Sequence, residues 1–309
     1  MCHRATIALI FLAALFPAEH AIAENFTVRP SITLEERYDS NVRFRGGDAR
    51  DRDDLVTRAM PQIKFFRKRA RYDLDGLYRF EANYHAMNPE LNNISHRAYI
   101  DSSIDLTKRT RLNIGDSFSF DKDSLQASDT GILVERTDIT SNSAYAGFTR
   151  QMSKNSDLTL TLRDSILEFD DPGLVDSRTD SATLSTNYRY SESGTANLSY
   201  IFTNYHFDTK KNIETHALRI GATEDVSPSV TVNLSGGAVY APGLDGGDKY
   251  FLVANAGLEG TYRDSIVTLA YIREVTVPTG LTDTINISDR VAFTVGQEFT
   301  RSFTATVFG

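Results

Sequence analysis

Cysteine is almost missing from this chain. The single cysteine, Cys2, lies in the first residues of the 309-residue sequence. The remainder has no disulfide, no thiolate nucleophile and no thiolate metal ligand to offer. A small secreted domain would rely on disulfides, so this chain must hold together otherwise. Tryptophan is absent, and proline occurs 8 times. After residue 23 no apolar run approaches the roughly 18 residues that a membrane-crossing helix needs. Positive charge is in deficit, with 33 Lys and Arg against 41 Asp and Glu. Nucleic acid is therefore not an expected partner, because phosphate binding wants a basic surface.

What is present begins with a leader. Residues 1–16 carry Arg4 and then an apolar run from Ala5 to Phe16; Ala21-Ile22-Ala23 follows as a small-residue cleavage pattern. Residues 1–23 read as a secretory signal peptide, with Glu24 as the first mature residue. Cys2 is not at the end of the apolar run, where a lipidated cysteine would stand.

Beyond the leader the period is two nearly throughout. Tyr72, Leu74, Gly76, Tyr78, Phe80, Ala82 and Tyr84 alternate with Arg71, Asp73, Asp75, Leu77, Arg79, Glu81 and Asn83. One face is apolar or aromatic, and the other carries both charge signs. At least 13 residues hold this pattern, well beyond the roughly 5–6 of an ordinary strand. A tilted strand crossing a bilayer needs about 9–11. Equivalent segments recur, from His96 to Leu106, Leu112 to Phe120, Ala182 to Tyr190, Val230 to Tyr240 and Tyr250 to Tyr262. The spacing predicts about fourteen strands plus a partial fifteenth from Phe303. It also predicts Pro30 and Pro61 inside the first two strands, at bulges if the boundaries are right.

The connections sort by parity. Short joints at 67–70, 107–110, 151–156, 191–195, 225–229, 263–265 and 300–302 alternate with longer loops. Those lie at 39–54, 85–93, 121–136, 169–180, 207–212, 241–248 and 278–284. Short turns at one end and long loops at the other mark an outer-membrane barrel. The expected fold is thus all-β, a transmembrane antiparallel up-and-down β-barrel over 24–309. Bacterial barrels usually have even strand numbers. The expectation is either a truncated chain, with about sixteen strands or slightly more at full length, or a last segment that closes the barrel as a short strand. Tyr and Phe near strand ends suit the two interfacial girdles.

Several segments are similar to one family. Residues 30–42 run Pro30-Ser31-Ile32-Thr33-Leu34-Glu35-Glu36-Arg37-Tyr38-Asp39-Ser40-Asn41-Val42. Asp54 to Pro61 reads as "D-x-x-T-x-x-x-P", and Asn88-Pro89-Glu90-Leu91-Asn92 precedes His96. In order and spacing these resemble the β-barrel porins encoded with exopolysaccharide biosynthesis and exosortase loci, most densely over 28–120. The resemblance implies an outer-membrane location and a role in polysaccharide export or secretion. It implies no catalytic residues.

Local chemistry is sparse. The mature histidines His85, His96, His206 and His216 show no metal-ligand spacing. Ser95 and His96 are adjacent, so on a strand they point to opposite faces. No metal, no cofactor and no enzymatic activity are expected; a lipid-modifying barrel would need a Ser/His cluster that the pattern does not supply. Asp170 to Gly173 and Gly243 to Asp248 read as solvated turns rather than calcium loops. Asp39 and Asn41, at the entrance to the first long loop, are candidates for hydrogen bonding to sugar hydroxyls or for capping a turn. The stronger signal is distributed. Arg71, Asp73, Asp75, Arg79, Glu81, Asp101, Asp105, Asn113 and Glu259 are expected to face a lumen, and with no dominant sign they imply weak ionic selectivity. The expected partners are outer-membrane lipid, a polysaccharide and its export machinery. The functional expectation is a porin-like conduit, with a non-conducting polysaccharide-binding barrel as the alternative.

Overall fold

A computed structural model of the chain describes residues 26–39, 53–121, 137–209, 211–244, 246–276, 283–300 and 303–308. The leader and its cleavage site lie outside these residues. So do Asn41 and the loop arginines Arg43, Arg45, Arg50 and Arg52.

The period-two segments form strands β1 (Phe26–Asp39), β2 (Asp54–Arg69), β3 (Tyr72–His85), β4 (Asn93–Thr107) and β5 (Thr110–Asp121). They continue as β6 (Ile139–Gln151), β7 (Ser156–Phe169), β8 (Ser177–Arg189), β9 (Gly194–Phe207) and β10 (Asn212–Ser227). The series ends with β11 (Val230–Leu244), β12 (Gly247–Tyr262), β13 (Ser265–Thr276), β14 (Asn286–Thr300) and the short β15 (Phe303–Phe308). Among the described residues a single 3-10 turn, Pro89–Leu91, interrupts the series. All fifteen strands form one sheet in strict chain order. Every pairing is antiparallel, so each strand lies beside its sequence neighbours, as an up-and-down wall requires. Among the described residues β1 pairs only with β2, and β15 only with β14.

Register sorts the side chains. Residues opposite one another share a face, so the pairs Phe80↔His96 and His96↔Phe120 put all three on one side. The same face carries Phe26, Val28, Ile32 and Leu34 of β1, and these are exposed. It also carries the exposed Leu158, Leu160 and Leu162 of β7 and Leu234 of β11. This is an apolar surface presented outward rather than buried in a core, as a lipid-facing wall demands.

Two aromatic stations recur on that face. On β3 and β4 the Tyr78 hydroxyl meets His96 Nδ1 at 2.8 Å, with Phe80 edge-on to the same ring. On β9 and β10 the Tyr200 hydroxyl meets His216 Nδ1 at 2.8 Å, with Phe202 alongside. The paired line through His216 runs Phe202, Ala182, Leu162, Ala146, Ile114 and Ser102. It meets β4 six residues from His96, after crossing six strands. A girdle at constant height therefore slips one residue per strand. With about 3.3 Å rise and 4.8 Å between strands, that slip is a strand tilt of about 35°. Barrel strands tilt by roughly this much.

Pro30 and Pro61 do lie within strands, but neither marks a bulge. Pro30 pairs with Ile63 and Pro61 with Ile32 in unbroken register. Against β3 the ladder passes over Met60 and Pro61 and resumes in the same register at Gln62. A missing donor thus removes local bonds without shifting the strand. The expected 241–248 loop is also corrected. β11 runs on to Leu244 and β12 starts at Gly247, after a register shift between Ala241 and Leu244. Gly243 and Gly246 adopt φ of 66° and 82°, a conformation glycine reaches at no steric cost. Hence the chain reverses in a tight turn where composition suggested a loop. The 169–180 loop likewise shortens, because β8 begins at Ser177.

Face assignment has a measurable consequence. Leu234→Arg, in the middle of the apolar face, is expected to cost about 2–4 kcal/mol in lipid. Its neighbour Ser235→Arg, on the opposite face, is expected to cost far less. Urea unfolding of the two variants from vesicles measures the difference.

Candidate functional site: the polar face and its loop end

The face opposite the apolar wall collects most of the charged residues of β1–β5. Asp73, Asp75, Arg79 and Glu81 share it with Asp101 and Asp105 of β4 and Asn113 of β5, by direct register. Glu259 lies on the same face, opposite Thr231 and Thr268. Arg71 stands apart, in the two-residue turn between β2 and β3, where its carbonyl accepts the Asp105 N–H at 2.9 Å. Asp39 is the last residue of β1, opposite Asp54 and 3.5 Å from Arg37.

These groups satisfy one another across neighbouring strands. Arg58 reaches Glu81 at 3.1 Å and Glu35 at 3.7 Å. Arg111 donates to Asp105 at 2.7 Å, and Arg97 to Asp121 at 3.3 Å. Arg79 donates to Gln62 at 2.9 Å. The Tyr99 hydroxyl donates to Asp75 and the Tyr145 hydroxyl to Asp101, both at 2.7 Å. Tyr145 lies flat on Gly115, where a Cβ would come within 2.3 Å of its ring. Arg163 covers the ring at 5.3 Å. Glycine is thus required where a lumen aromatic folds down against the wall.

From β6 to β11 the same face changes character. Ser141 and Ser143, Thr159 and Thr161, Ser181 to Ser185 at alternate positions, and Asn197 and Ser199 carry hydroxyls and amides in place of most of the charge. Their hydroxyls also pair across strands, Ser143 with Ser165 and Thr149 with Thr159.

Toward the long-loop end of β9–β14 the polar face becomes apolar, which alternation had not revealed. Phe207, Ile213, Ala241, Leu244 and Ile285 form a buried cluster, with Val175 and Tyr205 packed on it. Ala217, Val239 and Val253 form a second, beside Ile201 and Phe251. Polar ties hold two connections together over the first cluster: Thr209 donates to Asp283 at 3.0 Å and Lys211 stands 3.6 Å from it. The expectation of a uniformly polar face is corrected here. The physical reason is that Ile285, just before β14, packs with Phe207, Ile213, Ala241 and Leu244 and buries them.

At the loop end of β2–β4 His85 enters a buried polar cluster. Asp54 and His85 are almost fully buried. Asp54 accepts from the Met87 N–H at 2.9 Å and from Asn88 Nδ2 at 2.9 Å, and it meets His85 Nδ1 at 3.1 Å. The His85 N–H donates to Asn92 Oδ1 at 2.7 Å, and Asn83 donates to Asn93 at 2.8 Å. The other ring nitrogen, Nε2, is buried without a hydrogen-bond partner among the described residues. Ser95 is nearby but gives its hydroxyl to Asp121 at 3.0 Å. The arrangement clamps the 86–92 connection onto the start of β2. Asp54 and His85 are 31 residues apart, and only the register of β2 against β3 joins them; the "D-x-x-T" and "N-P-E-L-N" segments were the available signal.

The other candidate segments are turns. Asp171 Oδ1 accepts from the Gly173 N–H at 2.8 Å. Asp248 accepts from the Tyr240 hydroxyl at 3.0 Å and the Gly243 N–H at 3.2 Å. Among the described residues no group of three or more His, Cys, Asp or Glu could hold a metal. His96 points to the apolar face and Ser95 to the polar one, as their adjacency dictates.

The family described as "putative beta-barrel porin 2" matches residues 22–211. The chain belongs to this family. No curated protein matches it. Among solved structures it is similar to the siderophore receptor PirA of Pseudomonas aeruginosa, with a TM-score of 0.53 and 8% identity over 91% of this chain and 55% of that one. It is similar to the ferric enterobactin receptor PfeA of the same organism, with a TM-score of 0.55 and 9% identity over 93% of this chain and 52% of that one. The ferric-catecholate import receptor Fiu of E. coli gives 0.51 and 10% identity, over 94% and 62%. The chain spans about half the length of the receptors PirA and PfeA. At these identities the likeness is one of fold, an outer-membrane β-barrel. The porin-family protein is thus an outer-membrane protein whose polar face lies opposite its lipid-facing wall.

Removing the buried carboxylate tests the loop clamp. Asp54→Ala orphans the donors of Met87, Asn88 and His85, at about 1–3 kcal/mol for an unsatisfied group. The expected outcome is protease cleavage within 86–92 at a dose that leaves the parent intact.

Proposed function

We propose that this porin-family chain forms a conduit across the outer membrane, linked to exopolysaccharide export. The observation that carries the conduit is the polar face: charged and hydroxyl-bearing side chains line most of the length of the strands, opposite a mainly apolar wall. A polar interior behind a lipid-facing exterior is what a water-filled barrel needs. The link to polysaccharide rests on the sequence resemblance over 28–120. Hydroxyls and amides on β6–β11 suit a polyhydroxylated, weakly charged solute. In this reading the short turns face the periplasm and the long connections the outside, and no step of chemistry is assigned to the barrel.

A second reading has its own support. The buried apolar clusters at the loop end of β9–β14 narrow that end of the polar face. A barrel closed there would anchor polysaccharide or export machinery without conducting.

Single-channel recording in a planar bilayer separates the two. The conduit predicts stable conductance steps and a reversal potential near zero in a salt gradient, because paired charges of both signs leave little net field. Silence from a folded, heat-modifiable protein overturns the conduit and leaves the anchor.

A further inference from the structure

The short turns are stitched into one rim. The carbonyls of Arg71, Arg109 and Asn155, in the turns after β2, β4 and β6, accept the N–H groups of Asp105, Gln151 and Arg189 at 2.8–2.9 Å. Those donors stand at the ends of β4, β6 and β8, so each turn is tied to the next hairpin. Register gives their height. Tyr72, Ile104, Phe148 and Leu184 share one paired line. The turn after β2 begins on that line, where Arg69 pairs with Tyr72. The turn after β8 begins at Arg189, five residues past Leu184 and five strands from Tyr72. The one-residue slip of the tilted wall accounts for the whole difference, and the turns lie at one depth.

Charge on this rim is one-sided. Residues 67–72, 106–111 and 150–156 hold nine Lys and Arg and no Asp or Glu. The turn after β10 is the reverse, with Glu224 and Asp225 and no base over 224–229. Arg111 is paired with Asp105. Among the described residues Arg69, Lys108, Arg109, Arg150 and Lys154 are exposed and stand in no ion pair. The rim thus keeps an uncompensated positive arc on a chain that is negative as a whole.

The arc is turned toward lipid. Arg67 pairs with Leu74, Arg69 with Tyr72 and Arg150 with Leu158, so these three arginines are on the apolar face. Leu106, Phe148 and Leu158 on that face, and Met152 in the turn after β6, are exposed. The wall therefore stays apolar to within a residue or two of the turns. The arginine stems can lie along it while the guanidinium groups emerge in the headgroup layer. Neighbouring turns are two strands apart, about 10 Å. That is close to the Debye length of about 8 Å, so an anionic group between two turns meets both. A soluble polyanion or an acidic partner protein would meet the turn tips alone and leave the outward arginines unused.

We propose that the rim from β2 to β7 is a contact surface for anionic phospholipid headgroups, held by Arg67, Arg69 and Arg150 on the wall and by Lys108, Arg109 and Lys154 at the turn tips. With the short turns in the periplasm, these are lipids of the periplasmic leaflet. The surface is independent of conduction, since an open and a closed barrel present the same outer rim.

The absence of tryptophan makes the test direct. Leu158→Trp stands opposite Arg150, and Val232→Trp stands opposite Glu224. Each is the third residue of its strand, so the two reporters match in depth. Each folded, heat-modifiable variant is placed in phosphatidylcholine vesicles in which a minor share of the lipid is phosphatidylglycerol brominated high on its chains. Quenching of each reporter is normalised to that by brominated phosphatidylcholine in the same host. Because each surface cation favours anionic lipid, the ratio of Leu158→Trp to Val232→Trp should be at least about two. Adding Arg67→Gln, Arg69→Gln and Arg150→Gln together should abolish the excess. Lys108→Gln with Arg109→Gln, confined to a turn, should lower it in a barrel whose strands are untouched. Equal quenching of the two reporters overturns the surface, and is the outcome expected if the arc serves a soluble polyanion. A rim reporter quenched less than its control overturns it too. So does an excess that the turn variant leaves unchanged.

Discussion

Every feature of this molecule answers to one constraint: a backbone N–H or C=O facing hydrocarbon must find its partner within the protein. Strict chain-order pairing meets it with the least loop-closure entropy, because each strand bonds to the one just made. The four register shifts are all near strand ends, at Asp105/Thr107, Asp225/Ser227, Ala241/Leu244 and Glu298/Thr300. There water or a turn takes the released groups. In mid-wall, where neither is at hand, the ladder tolerates Pro61 without shifting. A slip by one residue would carry every charge on the polar face into lipid, and that penalty is what fixes the register.

The same constraint explains how much was readable in advance. A period of two is a property of consecutive residues, so the strands, their order and the apolar wall were legible in stretches such as Tyr72 to Tyr84. Turn lengths were less so. Gly243-Leu244-Asp245-Gly246-Gly247-Asp248 has loop composition, yet two glycines with positive φ turn it into a hairpin end. The buried clusters on the polar face escaped because Phe207, Ile213 and Ala241 lie on the parity assigned to polar residues, and no alternation rule anticipates connections folding onto them. The Asp54–His85 pair escaped for another reason. Each member looks ordinary in its own segment, and their contact exists only through the pairing of Val56 with His85.

The outer wall shows how a shear unreadable in any single strand can be recovered from two. Tyr78, Phe80 and His96 repeat as Tyr200, Phe202 and His216, six strands on. Their chemistry is the same, so their depth in the membrane should be the same, yet the hydrogen-bonded line joins His216 to Ser102 rather than to His96. That mismatch is the tilt. It also locates polar residues of the wall, since Asp180 and Asp164 look like intrusions into lipid until the tilt raises them to the girdle.

The polar face, finally, is organised to cancel its own field. Arg58 with Glu81 and Glu35, Arg111 with Asp105, and Arg97 with Asp121 pair across adjacent or next strands, within about 10 Å of one another across the sheet. At physiological salt the Debye length is about 8 Å, so a solute a few ångströms from the wall meets dipoles rather than a charged surface. On β6–β11 the charges are fewer, Asp157, Arg163 and Arg219 among them, and hydroxyls that pair across strands stand between them. A wall of this kind discriminates by size and by hydrogen bonding rather than by sign of charge. The many charges therefore serve mainly to keep the wall wet and in register.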